Sequence, residues 1–489
     1  MAPAIIAMPT ISPPPPLKRK HSNVVRLFQA YRDEPNNGYF AAYIPGVGTP
    51  FPEIGDSGGN VFGLPLGGSA AYKGDERIIW AFTRLINAPY FYVANNFLIT
   101  PAQAKEIANN VGSVLNIRNT VFKTWQDKLK AALAGRKPTI TQLNVSVFGF
   151  SRGAAEARAF VNWLFESCKQ EGGGWTFAGI PIRLQFLGLF DTVASVGIAN
   201  LFEISGGPVG HQGWADNNLQ IHPAVEQCVH YVAAHEVRAC FPLDSIRIGH
   251  SYPANTMEVI YPGAHSDVGG GYAPGDLGIS VEPKHQLCII PAANMYRAAR
   301  EAGVPLLPLE KLPPEDRQAL TPSAEAIKAF NAYMQASKVS TGAVESMLKG
   351  HMAHYFSFRL KINSNFNAQS PYKNANPKDR QYLTQTQKCL VARLATLGAD
   401  PRATSYQPRL AAENYEKLMK STRLELGTDG RYAIEVAKRI NCDAVTEEIA
   451  YFLGNFIHDS MAGFITQVNE YHTNNIGFVK FRVVFSGDD

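Results

Sequence analysis

Apolar and polar positions follow one rhythm over roughly the first three hundred residues of the chain and another after that, changing near residue 305. Before that point, short runs rich in β-branched and aromatic residues, bounded by Gly, Pro or Asp, predict strands at Tyr39–Ile44, Leu143–Phe150, Leu184–Phe190 and Met257–Tyr261. Asn23–Phe28 reads as a short helix, and longer helical patterns lie at about residues 76–87, 101–133, 154–168 and 223–238. Strands alternating with helices predict an α/β fold, with a mostly parallel sheet covered by helices on both faces.

Beyond residue 305 helical patterns dominate, at 322–349, 378–397, 409–420 and 430–457, separated by polar stretches such as Asn363–Pro377. In Ile476–Phe485, the residues Val479, Phe481, Val483 and Phe485 alternate with Lys480, Arg482 and Val484, the pattern of a strand with one buried face. That strand either returns to the main sheet or belongs to the helical part. At the other end, Pro13 to Pro16 favour extended polyproline II, so residues 1–20 read as a disordered Pro-rich leader. The expected organisation is this leader, an α/β domain over 21–305, and a mainly helical accessory region over 306–489. No internal repeat is visible.

Composition narrows the function classes. A chain of 489 residues with 45% hydrophobic and 18% charged residues can bury a large core. The net charge of +5 is modest, and the longest basic cluster is Lys18-Arg19-Lys20-His21, which argues against a nucleic-acid partner. Six cysteines form no C-x-x-C pair, so a zinc ribbon is not expected; they read as free buried thiols of a protein made in a reducing compartment. His235-Glu236 is followed by no second His at position 239, which removes the zinc-protease motif, and no metal or cofactor is called for. No run approaches the ~20 apolar residues of a membrane span. The basic cluster follows the apolar N-terminal residues, the reverse of a secretory signal, so synthesis in the cytoplasm without a signal peptide is expected.

The chemistry-bearing pattern is Gly149-Phe150-Ser151-Arg152-Gly153, a G-x-S-x-G with an apolar strand pattern before it and an Ala-rich helix pattern after it. Such a turn lifts a serine hydroxyl above the sheet as a nucleophile and leaves the next backbone N–H, that of Arg152, as an oxyanion donor. Small residues two before and two after the serine let strand and helix pack closely. A second donor is expected from Gly46 or Val47, in a glycine-bearing turn after the Tyr39–Ile44 pattern. Two later strand ends carry the remaining groups. Leu184–Phe190 runs into Asp191, and Met257–Tyr261 leads to His265 and then Gly269-Gly270-Gly271. The order Ser, acid, His is that of α/β-hydrolases, and the carboxyl ends of parallel strands meet at one edge. Asp191 would orient His265, and His265 would take the Ser151 proton. Asp191 read as a mere helix cap, Asp267 as the acid, and His458 as the base remain alternatives. The same residues would serve a carboxylesterase or a peptidase; an interaction protein on this scaffold would not need them intact.

Taken in order, GFSRGA (149–154), LFDTVASVG (189–197), AHEVRACF (234–241) and YPGAHSDVGGGY (261–272) resemble the lipase effectors of bacterial type VI secretion, in particular the phospholipases whose nucleophile lies in G-F-S-R-G. Ser22–Leu27, Pro45–Thr49 and HDSMAGF (458–464) are similar to further blocks of that family. The resemblance implies an α/β-hydrolase that cleaves acyl esters of membrane phospholipids, of phospholipase A type. It implies delivery into the periplasm of target bacteria by a secretion spike protein, with a cognate immunity protein as a further partner. It places the triad on Ser151, Asp191 and His265. In one respect the chain departs: the family usually opens with a strand ending in F-D-G-T, and here the Pro-rich leader stands instead. Two apolar stretches, Asn60–Gly67 and Val193–Phe202, suit a lipid substrate, since a buried CH₂ is worth ~0.8 kcal/mol.

Overall fold

In the computed structural model, residues 2–5, 21–58, 73–112, 114–194, 203–204, 207–208, 219–238, 241–396, 434–464 and 482–487 are described. A seven-stranded mixed sheet organises them. Its strands are β1 (Ala2–Ile5), β2 (Leu143–Phe150), β3 (Lys169–Glu171), β4 (Gly174–Phe177), β5 (Ile180–Phe190), β6 (Cys228–Ala233) and β7 (Thr256–Tyr261). β2 lies between β1 and β5, β5 also pairs with β6, and β6 with β7, all in parallel. The β3–β4 hairpin adds antiparallel pairing at the start of β5.

Two apolar clusters sandwich this sheet because alternate residues of a strand face opposite sides. Along β5, Phe186 and Phe190 join one cluster and Leu187 and Leu189 the other. The second cluster packs β2 and β5 against α2 (Gly74–Ala94), α4 (Leu115–Leu133) and α5 (Arg152–Ser167), through Phe82, Phe122, Phe160 and Trp163. The first takes in α7 (Ile289–Glu301) through Met295 and Tyr296. Helices from beyond residue 305 join that same cluster: α9 (Ala324–Ser337), α10 (Val344–Lys361) and α13 (Glu447–Asn455) contribute Tyr333, Phe356 and Phe452. Between these lie α8 (Pro314–Ala319), α11 (Ser370–Asn374) and α12 (Pro377–Thr396).

Several sequence expectations need correction. Residues 2–5, assigned to a disordered leader, form β1 and pair with Leu143–Ser146 of β2. Pro3 is compatible with this because β1 is an edge strand, where one N–H faces away from the ladder. An N-terminal strand therefore does lie beside β2, with the sequence Ala2-Pro3-Ala4-Ile5 rather than F-D-G-T. The helix expected at 223–238 is the strand β6, whose six residues are all buried. A fully buried strand is a continuous apolar run, and such a run has no period to separate it from a buried helix. Tyr39–Ile44 joins no strand ladder among the described residues; Tyr39 exchanges both backbone hydrogen bonds with Glu34 around a turn at Pro35–Asn37. The pattern over 101–133 is two helices, α3 (Pro101–Val111) and α4, separated at Gly112 with φ 62°.

At the chain's end, Val484–Phe485 pairs in parallel with Leu243–Asp244, the stretch beyond β6, and not with the main sheet. The expected helix at 409–420 and the apolar stretch at 60–67 lie outside the described residues, as do residues 195–202.

Candidate active site

The turn from β2 into α5 is formed as the motif requires. Ser151 adopts φ 60° and ψ −128°, a conformation that costs a non-glycine residue about 1–3 kcal/mol and persists only where its surroundings impose it. Its N–H donates to the Phe190 carbonyl at 3.0 Å, and its own carbonyl accepts from Val193 at 3.3 Å. Those two bonds lace the serine to the end of β5, one residue before and two residues after Asp191. Gly149 is needed for close packing: a Cβ there would lie 2.4 Å from the Gly153 carbonyl oxygen and 2.5 Å from Ala154 Cα. Gly153 is not: a Cβ there meets nothing within 4 Å, so only half of the small-residue expectation holds.

Asp191 is fully buried, with φ 42°. Its backbone N–H donates to Tyr231 of β6, and its carboxylate is saturated. Oδ1 accepts from the Ala233 N–H at 2.8 Å and from Arg482 Nη1 at 2.9 Å; Oδ2 accepts from Arg482 Nη2 at 2.9 Å and meets His265 Nδ1 at 2.5 Å. These contacts are long-range, not those of a helix cap. Burial pushes the Asp191 carboxyl up, but Arg482 and His265 outweigh it and hold the group well below the usual carboxylate range.

His265 opens the short helix α6 (His265–Gly269) just after β7. Its ring packs on Phe150, the residue before Ser151, with ring centroids 4.6 Å apart, and edge-on against Phe241 at 5.1 Å. The glycines that follow make room for this. A Cβ on Gly269 would fall 1.9 Å from Phe150 Cε2, and one on Gly270, at φ 80°, would fall 2.7 Å from the Asn23 nitrogen. Gly269→Ala is therefore expected to displace the ring beneath the imidazole and destabilise the protein by about 2 kcal/mol or more, read as a lower denaturant midpoint, whereas Gly153→Ala stays near the parent value. Burial lowers the His265 pKa; Asp191 opposes this and Arg238 adds to it, and the net direction favours the neutral imidazole.

Sequence reasoning missed three charged residues here. Glu236 accepts from the His265 N–H at 3.2 Å, from Arg238 Nε at 2.8 Å and from Ser460 Oγ at 2.9 Å. Burial would raise its pKa, but Arg238 brings it down to about 2. Glu236 and Arg238 lie inside AHEVRACF (234–241), where nothing local marks a role, and Arg482 shows in the sequence only as a polar position on the last strand. The alternative pair, Asp267 and His458, contact each other and not Asp191: His458 Nδ1 lies 2.5 Å from Asp267 Oδ1, and the His458 N–H and Ala264 N–H both donate to Asp267 Oδ2 at 3.0 Å. The His458 ring stacks on Tyr272 at 3.8 Å. Asp267 thus braces the His265 helix against the segment after α13.

Arg152 begins α5, so its amide stands at a helix N-terminus. Gly46 and Val47 lie in a turn strapped by fully buried Arg77, which donates to the carbonyls of Pro45 and Thr49 at 2.9 Å each and pairs with Asp56 at 2.8 Å. Gly46 lines a cavity of about 370 Å³ together with Gly149, Phe150, Gly153 and Ser266. Its walls are mainly apolar, and buried Glu156, its pKa pushed up to about 7 by burial, lines it too. The cavity borders the turn, but Ser151 and His265 are not among its lining residues. Among the described residues no group of three or more His, Cys, Asp or Glu is placed to hold a metal ion, and no helix is long and apolar enough to cross a membrane.

Residues 166–298, which include Asp191 and His265 and begin after Ser151, match the model of the catalytic domain of Tle1-like phospholipase effectors of type VI secretion. The chain resembles that family. Among solved structures it is similar to a crystal structure of an uncharacterized protein from Pseudomonas aeruginosa, with TM-score 0.75 and 25% identity over 99% of this chain and 79% of that one. A structure of the Tle1 effector bound to the VgrG spike matches with TM-score 0.29 and 19% identity, over 52% of this chain and 66% of that one. No curated protein matches significantly.

Proposed function

We propose, from the resemblance to Tle1-like effectors, that this protein is a phospholipase effector working as a serine esterase of the phospholipase A type on an α/β-hydrolase scaffold. The observation that carries the reading is the buried Asp191–His265 contact at 2.5 Å, one strand away from the strained Ser151 turn to which Asp191's own strand is hydrogen-bonded. The family match supports the hydrolase class.

In the proposed reaction, neutral His265 removes the Ser151 proton through Nε2 as the hydroxyl attacks a phospholipid acyl carbonyl. Asp191 fixes the imidazole tautomer and stabilises the imidazolium. The amide of Arg152, with Gly46 or Val47, receives the oxyanion, a contribution of ~2.7–4 kcal/mol per donor. His265 then returns the proton to the departing lysophospholipid oxygen, and water releases the fatty acid by the same steps in reverse. Delivery by a secretion spike into a target periplasm, and neutralisation by an immunity protein, follow from the same resemblance.

The test is a substrate panel. Phosphatidyl esters in mixed micelles, a short-chain ester and a peptide are compared with the Ser151→Ala variant as control. Fatty acid released from the phospholipid by the parent protein alone is the expected result. Hydrolysis of the peptide with none of the phospholipid would replace the reading with a peptidase.

A further inference from the structure

We propose that Arg482 is a positioning residue for the Ser151 proton relay, and that the segment paired with Leu243–Asp244 thereby completes the active site. This rests on the assignment of Asp191 and His265 given above. The motifs of that site end at residue 272 and resume only at 458–464, yet the carboxylate that orients His265 is held by a guanidinium from position 482.

The contact is built in detail. Both Arg482 terminal nitrogens reach Asp191, one to each oxygen, in a fork that a lysine cannot reproduce. Nη1 also donates to the Ala233 carbonyl at 3.1 Å, and Nε to the Phe241 carbonyl at 2.7 Å. Phe241 is the residue whose ring stands edge-on to His265, so Arg482 fixes both the acid and the residue flanking the imidazole. The main chain around Arg482 is fastened as well. Val483 and Phe485 carbonyls accept from Leu243 and Ser245 at 2.9 and 3.0 Å, and the Gly487 N–H donates to Arg247 at 2.7 Å.

Charge gives the residue its effect. Asp191 meets the imidazole directly, with Arg482 behind it. Glu236, from the stretch after β6, accepts from the His265 backbone N–H and pairs with Arg238, and the Asp267–His458 pair braces the His265 helix. Among Asp191, Glu236, Arg238 and Arg482 the two arginines offset the two carboxylates, so taking away the Arg482 charge leaves net negative charge beside the imidazole. Removing the Arg482 charge favours the imidazolium and also makes the buried Asp191 carboxylate easier to protonate. Both effects move loss of the active base in one direction, to higher pH.

The experiment measures the rate at which a fluorophosphonate probe labels full-length protein between about pH 5 and pH 9, the range in which an imidazole titrates. The parent protein is expected to lose labelling only below the ordinary histidine value of about 6.5. Arg482→Met and Arg482→Gln are expected to move that acid limb up by about one unit, a roughly tenfold greater loss on the acid side than on the plateau. Arg482→Lys keeps the cation and is expected to keep the limb while lowering the plateau. If the methionine variant does not fold, the glutamine variant, which can still donate to Asp191, carries the test. An unmoved limb in a folded neutral variant, with parent labelling intact, overturns the role of Arg482 and leaves the Ser151 assignment standing. Absence of labelling in the parent protein overturns that assignment, and this inference with it.

Discussion

Ser151→Ala is expected to lower phospholipid hydrolysis by about 10⁴- to 10⁶-fold with its thermal midpoint within a degree or so of the parent value. The loss is large because no other group in the proposed relay can form the acyl intermediate. Stability is spared for a local reason. The conformation at φ 60° is imposed by backbone hydrogen bonds to Phe190 and Val193, which alanine retains, and alanine is no more strained there than serine. Residual activity above about a hundredth of the parent rate would remove Ser151 from the chemistry.

Asp191→Asn is expected to lower the same rate by about 10⁴-fold, by a different route and with a different companion effect. An amide in place of the carboxylate can donate to Nδ1 and select the tautomer whose Nε2 proton blocks general-base catalysis. It also leaves the Arg482 guanidinium, 4% exposed, without its counter-ion. Stranding one partner of a buried pair costs about 3–5 kcal/mol, so this variant should also unfold at distinctly lower denaturant than the parent. Differential denaturation beside the rate assay checks both parts. A loss of rate with full stability would mean that the Arg482 contact contributes little to the fold.

The contrast between these substitutions mirrors what the chain discloses about itself. The strand ends that lead to Ser151, Asp191 and His265 are legible because each follows a local apolar run, a signal spanning only a few neighbours. The strand β2 was bounded correctly for the same reason. Strand β6 was not, since Cys228–Ala233 is buried on both faces and carries no alternation. β1 was hidden by Pro3 and the proline run behind it, although an edge position tolerates proline. Tyr39–Ile44 has the composition of a strand, but among the described residues it joins no ladder. Arg77, Glu236 and Arg482 act through partners that periodicity cannot reveal. Arg482 lies 291 residues from Asp191 in sequence, and nothing local distinguishes it from the solvent-facing position that the alternation assigned to it. The rivalry of Asp267 and His458 with the chosen acid and base was likewise beyond sequence, because only the fold pairs them with each other.

In the proposed relay the hydroxyl at position 151 is activated by the imidazole at 265. Mass-spectrometric mapping of the fluorophosphonate adduct on the parent protein and on His265→Ala tests it most directly. A single adduct on Ser151 is expected in the parent, with a labelling rate at least about a hundredfold lower in the variant, the scale of general-base catalysis. An adduct on another serine, or a Ser151 adduct that forms as fast without His265, would contradict it.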